Sequence, residues 1–137
     1  MTVKNEALDL FGEMIATLRM RIELKAVILF GSRAKGTARE HSDYDIVIIG
    51  EFKENYIKRM EWVITIAPFV PLDLFCYTPA EFEAMFKAFK LTQIDAIGEG
   101  VVLFGDEWVQ PYKERHAVLV EQGMRKSDFV LIPPTTT

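Results

Sequence analysis

Two continuously apolar runs, joined by a short polar segment, constrain the fold of this chain more than any other feature. Residues 26–30 and residues 46–49 lack the alternation of a strand with one exposed face. Runs of this kind are typical of strands that are covered on both faces. The polar segment between them, residues 32–42, is short for a complete crossover helix, so we expect a mixed sheet rather than a purely parallel one.

The rest of the chain shows helical and strand-like patterns in turn. Helical patterns occupy five segments, at residues 5–22, 54–67, 79–89, 91–97 and 111–122. Short apolar runs predict two further strands, at residues 72–77 and 101–104. This order predicts an α/β (α+β) fold, with a mixed β-sheet and flanking helices.

The length of 137 residues suits one domain that buries a sizeable core. We place that domain at residues 1–126. Residues 127–137 end in two prolines and three threonines, and we expect them to form a disordered tail. The apolar residues 129–132 within this tail would suit association with a second copy, as a homo-oligomer.

Charge and hydropathy exclude several classes of protein. The formal net charge of −4 argues against a protein that grips long nucleic acid, because phosphate binding needs a basic surface. No apolar stretch is long enough to cross a bilayer, and the first residues lack the apolar core of a signal peptide, so we expect a cytoplasmic protein with no membrane contact. The single cysteine, Cys76, excludes an internal disulfide and a cysteine-cluster metal site.

Three aspartates stand in or beside apolar strands, where an ionised carboxylate is costly without a partner. Asp43 and Asp45 lie two positions apart and therefore project from one strand face, and Asp73 lies between two leucines of a later strand. If these strands are neighbours, three carboxylates meet, and their repulsion raises at least one pKa. A divalent cation would relieve this repulsion, and all-oxygen ligands suit Mg²⁺ or Mn²⁺.

Each aspartate taken alone also has a structural explanation. Asp43 could cap a turn, and Asp45 could form an ion pair with a basic residue of the segment 33–39. Asp73 could face solvent from an edge strand. Taken together with the glycine motif described next, the three acids favour a metal site.

A glycine and a serine follow the first apolar run. Gly31 allows the backbone to approach a ligand closely, and the start of a helical turn after it presents free N–H groups to phosphate oxygens. The Ser32 hydroxyl can add a hydrogen bond. Alone, this pair is also ordinary turn chemistry, and it is not a P-loop, because the Gly-Lys-Ser/Thr ending is missing.

Together these segments resemble a known signature. Residues 31–36, Gly-Ser-Arg-Ala-Lys-Gly, and residues 42–46, Ser-Asp-Tyr-Asp-Ile, resemble the motif of the DNA polymerase beta-like nucleotidyltransferases, and most closely that of the minimal nucleotidyltransferases (MNT). Asp73 matches the third carboxylate of the family. The likeness covers residues 22–105, and it implies the mixed α/β sheet of that family.

The resemblance implies a role for each acid. Asp43 and Asp45 would be ligands of two Mg²⁺ ions, for which Mn²⁺ can substitute. Asp73 would contribute to one of these ions and would also help to deprotonate the attacking hydroxyl.

The resemblance also implies an enzyme, a nucleotidyltransferase that moves an NMP to a hydroxyl acceptor and releases pyrophosphate. Gly31 and Ser32 would contact the triphosphate of ATP or another NTP, with Arg33 as a further phosphate contact. Minimal members often pair, as antitoxins, with a small helical protein of the HEPN kind, and some modify a tyrosine of that partner. The alternative is a non-catalytic antitoxin, a binding module that masks its partner and keeps a vestigial nucleotide pocket.

Overall fold

The structure is a computed structural model, and it describes residues 2–126 and 131–135. Its helices are α1 (Val3–Arg21), α2 (Ser32–Lys35), α3 (Tyr56–Ile66), α4 (Pro79–Lys87), α5 (Leu91–Glu99) and α6 (Asp106–Glu121). Its strands are β1 (Leu24–Phe30), β2 (Tyr44–Gly50), β3 (Leu72–Tyr77), β4 (Val101–Phe104), β5 (Arg125–Lys126) and β6 (Leu131–Ile132).

The described residues form a four-stranded sheet in the order β3-β2-β1-β4, and a separate pair of short strands, β5 and β6. β1 runs antiparallel to both β2 and β4, whereas β2 and β3 are parallel. The mixed sheet predicted from the sequence is confirmed. Between β1 and β2 the chain makes only the four-residue α2 and a loop, which suits an antiparallel neighbour and is too short for a crossover.

Helices cover both faces of this sheet, as the unbroken apolar runs predict. The last five residues of β1 and of β2 are all buried. α1 and α3 pack on one face, where Phe11 and Val63 are among the buried residues. α4, α5 and α6 pack on the other face, where Phe82 and Ile97 join Val47 of β2 in one apolar cluster.

The start of α4 agrees with the predicted helical segment 79–89, whereas the start of α6 departs from the prediction. The hydroxyl of Thr78 accepts a hydrogen bond from Glu81 N, and the Glu81 carboxylate accepts one from Thr78 N, which is a capping box. α6 begins at Asp106, whereas we predicted a start at Pro111. The predicted start is wrong because Asp106 and the acid after it stabilise an earlier first turn, and Pro111 is tolerated within the helix.

Part of the predicted tail is in contact with the domain. β6 pairs with β5, and Thr135 N donates to Gln122 O at 2.9 Å, beside the end of α6. Residues 127–130 and 136–137 lie outside the described residues, so the boundary at residue 126 and the disorder of the tail stay predictions. Among the described residues, no helix combines the length and the apolar character needed to cross a membrane.

Candidate functional site

The parallel pairing of β2 with β3 brings two of the predicted carboxylates together. Asp45 lies directly opposite Asp73 in the register of this pair, and it lies opposite Phe30 in the pairing with β1. Residues opposite each other share a sheet face, so both carboxylates project on the side that α4–α6 cover. The prediction that the carboxylates meet depends on their strands being neighbours, and β2 and β3 are neighbours.

The pKa of Asp45 is shifted from its usual value. Its pKa is raised from 3.8 to about 6, first by partial burial, then by the negative charges of Asp73 and Asp43 and by a hydrogen bond with Asp73. Each of these influences disfavours the ionised form. None of the ion pairs formed by the described residues involves Asp45, so no basic side chain offsets its charge there.

Asp43 lies immediately before β2, which begins at Tyr44. The Asp43 side chain is exposed, and its charge is one cause of the raised pKa of Asp45. Within residues 2–126 and 131–135, no three His, Cys, Asp or Glu side chains are already gathered as a metal site. The structure therefore brings Asp45 and Asp73 together, while Asp43 stands beside them without completing a three-acid cluster.

Gly31 lies against the carboxylate of Asp45. Its φ of 73° and ψ of −160° fall in a backbone region that glycine alone adopts readily. A Cβ at this position would collide with Asp45 Oδ2 and would lie 3.2 Å from Asp45 Cγ. Glycine is required here by both the backbone angles and the space, because the turn after β1 touches the carboxylate of β2.

Ser32 begins α2, a single turn of four residues. Two N–H groups of this turn donate to Gly31 O, at 3.1 and 3.2 Å. The N–H groups that open a helix have no partner inside it, and that of Ser32 follows directly after the glycine that touches Asp45. This arrangement agrees with the predicted contact of Gly31 and Ser32 with phosphate, which stays a prediction.

Arg33 makes contacts that the sequence did not predict. Its Nε donates to Ser42 O at 3.2 Å, and its Nη2 donates to the same carbonyl at 2.8 Å and to Glu40 O at 3.3 Å. Its Cζ lies 4.5 Å from the centre of the Tyr44 ring. The sequence carries no signal for such contacts, because main-chain carbonyls accept most of them and every residue has one.

Lys35, the other basic residue of α2, also has a partner away from the acids. Its Nζ lies 2.9 Å from Glu99 Oε2, and the same carboxylate oxygen lies 3.6 Å from Lys126 Nζ. The alternative in which Arg33 or Lys35 forms an ion pair with Asp45 is therefore not what the structure shows.

The donor set fits a hard divalent cation. Its candidate ligands are all carboxylate oxygens, and Asp45 and Asp73 are already neighbours. The pKa of Asp45 is raised by burial and, after that, by the negative charges of Asp73 and Asp43, and a cation bound between the acids would offset this second cause. β3 is an edge strand of the sheet and Asp73 is exposed, as one structural alternative for this residue expects. Its carboxylate nevertheless lies in register beside Asp45.

Comparison with protein families matches residues 13–106 to the family model described as Polymerase beta, Nucleotidyltransferase. The matched range includes the acids and the glycine-serine turn. Comparison with curated proteins gives no match.

Three solved structures illustrate what the chain is similar to. A candidate nucleotidyltransferase from Sulfolobus solfataricus is 24% identical, and the overlap covers 77% of this chain and 86% of that one, with a TM-score of 0.53. A toxin–antitoxin complex with AMP-PNP contains a chain that is 18% identical, with 78% and 90% covered and a TM-score of 0.45. A complex of tri-AMPylated Shewanella oneidensis HEPN toxin with MNT antitoxin contains one that is 16% identical, with 85% and 88% covered and a TM-score of 0.40. The first of these shows a shared fold.

Proposed function

This chain belongs to the polymerase beta nucleotidyltransferase family, and from that premise we propose that it transfers an NMP, AMP from ATP in the first instance, to a hydroxyl acceptor. The observation that carries the proposal is the Asp45–Asp73 pair, two adjacent carboxylates with Gly31 against one of them. A carboxylate pair beside a tight glycine turn suits a triphosphate and its counter-cations.

In the proposed reaction the acceptor oxygen attacks the α-phosphorus of the triphosphate. A bond forms between these two atoms, the bond from the α-phosphorus to the oxygen that bridges to the β-phosphate breaks, and pyrophosphate leaves with that electron pair. The hydroxyl proton passes to a carboxylate oxygen of Asp73, which is exposed and can be reached by an acceptor. Gly31 and Ser32 hold the triphosphate so that the attack is in line.

Asp43, Asp45 and Asp73 would hold the divalent cations, Mg²⁺ first and Mn²⁺ as its substitute. Bound there, such cations offset the charge of the triphosphate and make the acceptor hydroxyl more acidic. The same occupancy would offset the repulsion from Asp73 and Asp43 that, after burial, raises the pKa of Asp45.

The acceptor proposed here is a hydroxyl on a partner protein of the small helical HEPN kind, with this chain as the antitoxin of the pair. Support comes from the resemblance of residues 31–36 and 42–46 to minimal nucleotidyltransferases. Within residues 2–126 and 131–135, one sheet with its helices and a short strand pair account for the structure, and no second domain offers an acceptor site. An edge strand that carries Asp73 is open to the approach of a protein surface.

The proposal is tested by incubating the purified chain with Mg²⁺, ATP radiolabelled at the α-phosphate, and either cell extract or the protein encoded beside it. We expect a labelled protein band with the wild type, and none with Asp45→Asn or with EDTA. Asp9→Asn, an exposed acid of α1, is the matched control and should label the band as the wild type does. The absence of any labelled product with each of the four NTPs would contradict the proposal.

A second candidate function is a binding module that neutralises its partner without chemistry. The observation that favours it is that the described residues hold no ready-gathered three-acid metal site. It predicts that replacing Asp43, Asp45 and Asp73 together by asparagine leaves neutralisation intact. Loss of neutralisation in this triple variant, with partner binding retained, would exclude it.

A further inference from the structure

The segment between α2 and β2 carries Asp43 and has little burial to hold it in place. Residues 35–37, 39–41 and 43 are exposed. A local turn closes part of the segment, where Ser42 N donates to Arg39 O at 3.0 Å and Arg39 N donates to Ser42 Oγ at 2.8 Å. Exposed segments with few apolar contacts open easily, so the position of Asp43 depends on polar contacts.

Arg33 supplies such contacts on both sides of Asp43. Its guanidinium donates twice to the carbonyl of Ser42, the residue before Asp43, and it lies over the ring of Tyr44, the residue after Asp43. The main chain of Tyr44 is fixed in turn, because its N–H donates to Pro71 O at 2.9 Å. The chain around Asp43 is thereby tied both to α2 and to the segment that leads into β3.

We propose that Arg33 is a positioning residue, which holds the main chain around Asp43 so that this carboxylate can join Asp45 and Asp73 at one cation site. The inference rests on the proposed function for the nature of that site. It gives Arg33 a different role from the direct phosphate contact expected from the sequence.

An arginine is suited to this position in a way that a lysine is not. A planar guanidinium can present two N–H groups to one carbonyl while its face lies on an aromatic ring. A lysine ammonium keeps the positive charge but cannot make both contacts at once. Arg33→Lys therefore separates the two roles, since it preserves most of a phosphate contact and removes the hold on Asp43.

Amide hydrogen exchange of residues 37–45 in the metal-free protein tests this hold directly. We expect Arg33→Met and Arg33→Lys to speed exchange in this segment by about tenfold, because the contacts that close it are lost. Arg39→Met, which changes an exposed side chain of the same segment, is the control and should exchange as the wild type does. Equal exchange in the wild type and in Arg33→Met overturns the proposal. Should Arg33→Met fail to fold, Arg33→Lys gives the comparison alone, and equal exchange in the wild type and in Arg33→Lys then overturns the proposal.

Cation binding separates positioning from phosphate contact. By electron paramagnetic resonance of Mn²⁺ without nucleotide, we expect Arg33→Lys and Arg33→Met to weaken binding about 10- to 100-fold, as loss of a group that orients a metal ligand does. The KM for ATP at saturating Mn²⁺ should stay within about twofold of the wild type. A raised KM in Arg33→Met that Arg33→Lys restores assigns Arg33 to the phosphates and overturns the proposal. A wild type without transfer activity would defeat the proposed function alone, because the exchange comparison needs no turnover.

Discussion

Charged side chains lie at both ends of β3, and they differ in whether a partner offsets their charge. Near its start, Asp73 lies beside Asp45, and no ion pair of the described residues offsets either charge. Near its end, the guanidinium of Arg59 is buried, with 5% of the residue exposed, and donates to Cys76 O at 3.2 Å, to Glu54 O at 2.7 Å and to Glu81 Oε1 at 2.7 Å. The Asp73 end places two carboxylates next to each other, whereas the other end buries a guanidinium that is hydrogen-bonded and paired with a carboxylate.

The difference indicates what each end is for. Folded proteins normally pair a buried charge and hydrogen-bond it, as they do for Arg59, because leaving it without partners is costly. An acid pair left without a cation is a cost to the fold, and such costs concentrate where a ligand is to be bound. The Arg59 end of β3 therefore serves stability, and the Asp73 end serves the proposed chemistry.

The largest expected effect is on transfer activity at the Asp73 end. Asp73→Asn removes the group that we propose accepts the hydroxyl proton, so we expect the rate of NMP transfer to fall about 10²- to 10⁴-fold. The free energy of unfolding should change little, because Asp73 is exposed. Transfer kinetics and urea unfolding of the same preparation check both parts. A variant that unfolds more easily and transfers at the wild-type rate would reverse the comparison.

The next effect is on stability at the other end. Arg59→Met removes the guanidinium donor from the carbonyls of Glu54 and Cys76 and from the Glu81 carboxylate, which keeps only its bond from Thr78 N. We expect a loss of about 2–4 kcal/mol in the free energy of unfolding. Transfer per folded molecule should remain at the wild-type level, since Arg59 belongs to no part of the site. Urea unfolding and kinetics below the transition check this. A variant that keeps its stability but loses transfer would show that the two ends are not separate.

Sequence alone located the acid end of β3 and missed the basic end. Asp45 and Asp73 could be found because each stands in or directly beside an apolar run, and such runs predict strands. Arg59 lies in α3 and is separated from Glu81 by 22 positions in the sequence. Only the packing of α3 beside β3 brings the two side chains into contact. The capping box at Glu81, in contrast, is a local sequence pattern, because its partner Thr78 is three residues away.

The same distinction applies within the candidate site. The predicted turn at Gly31 follows from local chemistry, and the structure adds only that Asp45 fills the space of a missing Cβ. The contacts of Arg33 with the carbonyls of Ser42 and Glu40 could not be predicted, because their acceptors are main-chain atoms without a sequence signature. Local patterns thus give the elements and the acids, and tertiary contacts decide which charges are satisfied.

A smaller effect is expected from the glycine that touches Asp45. Gly31→Ala forces an unfavourable backbone region and displaces the carboxylate of Asp45, so we expect a loss of about 1–3 kcal/mol in stability and weaker Mn²⁺ binding. Gly36→Ala is the control, because Gly36 also has a positive φ, 75°, but has open space where the Cβ would lie. It should lose stability without weakening Mn²⁺ binding. Equal Mn²⁺ affinity in both variants would contradict the contact with Asp45.

The smallest effect is on the pH dependence of stability, where the two ends of β3 should act in opposite directions. The pKa of Asp45 is raised from 3.8 to about 6, so the folded protein binds more protons than the unfolded chain between these values, and stability falls as the pH rises through this window. Burial pushes the pKa of Glu81 upward, but its hydrogen bonds with Arg59 and Thr78 outweigh burial and lower it below 4.5. The stability that Glu81 contributes is therefore present above pH 4.5 and is lost as the pH falls further.

Asp45→Asn should remove the decline between pH 4 and pH 6, and Glu81→Gln should flatten the loss at lower pH, each by less than about 1 kcal/mol because both groups are partly exposed. Urea unfolding in EDTA across this pH range measures both profiles. Added Mg²⁺ should remove the decline in stability between pH 4 and pH 6 in the wild type. It should have the same effect in Glu81→Gln, because the proposed cation binds at the Asp73 end alone. An Asp45→Asn variant that is less stable than the wild type at pH 7 in EDTA would mean that the Asp45 carboxylate has a stabilising partner, and the two ends of β3 would then be alike.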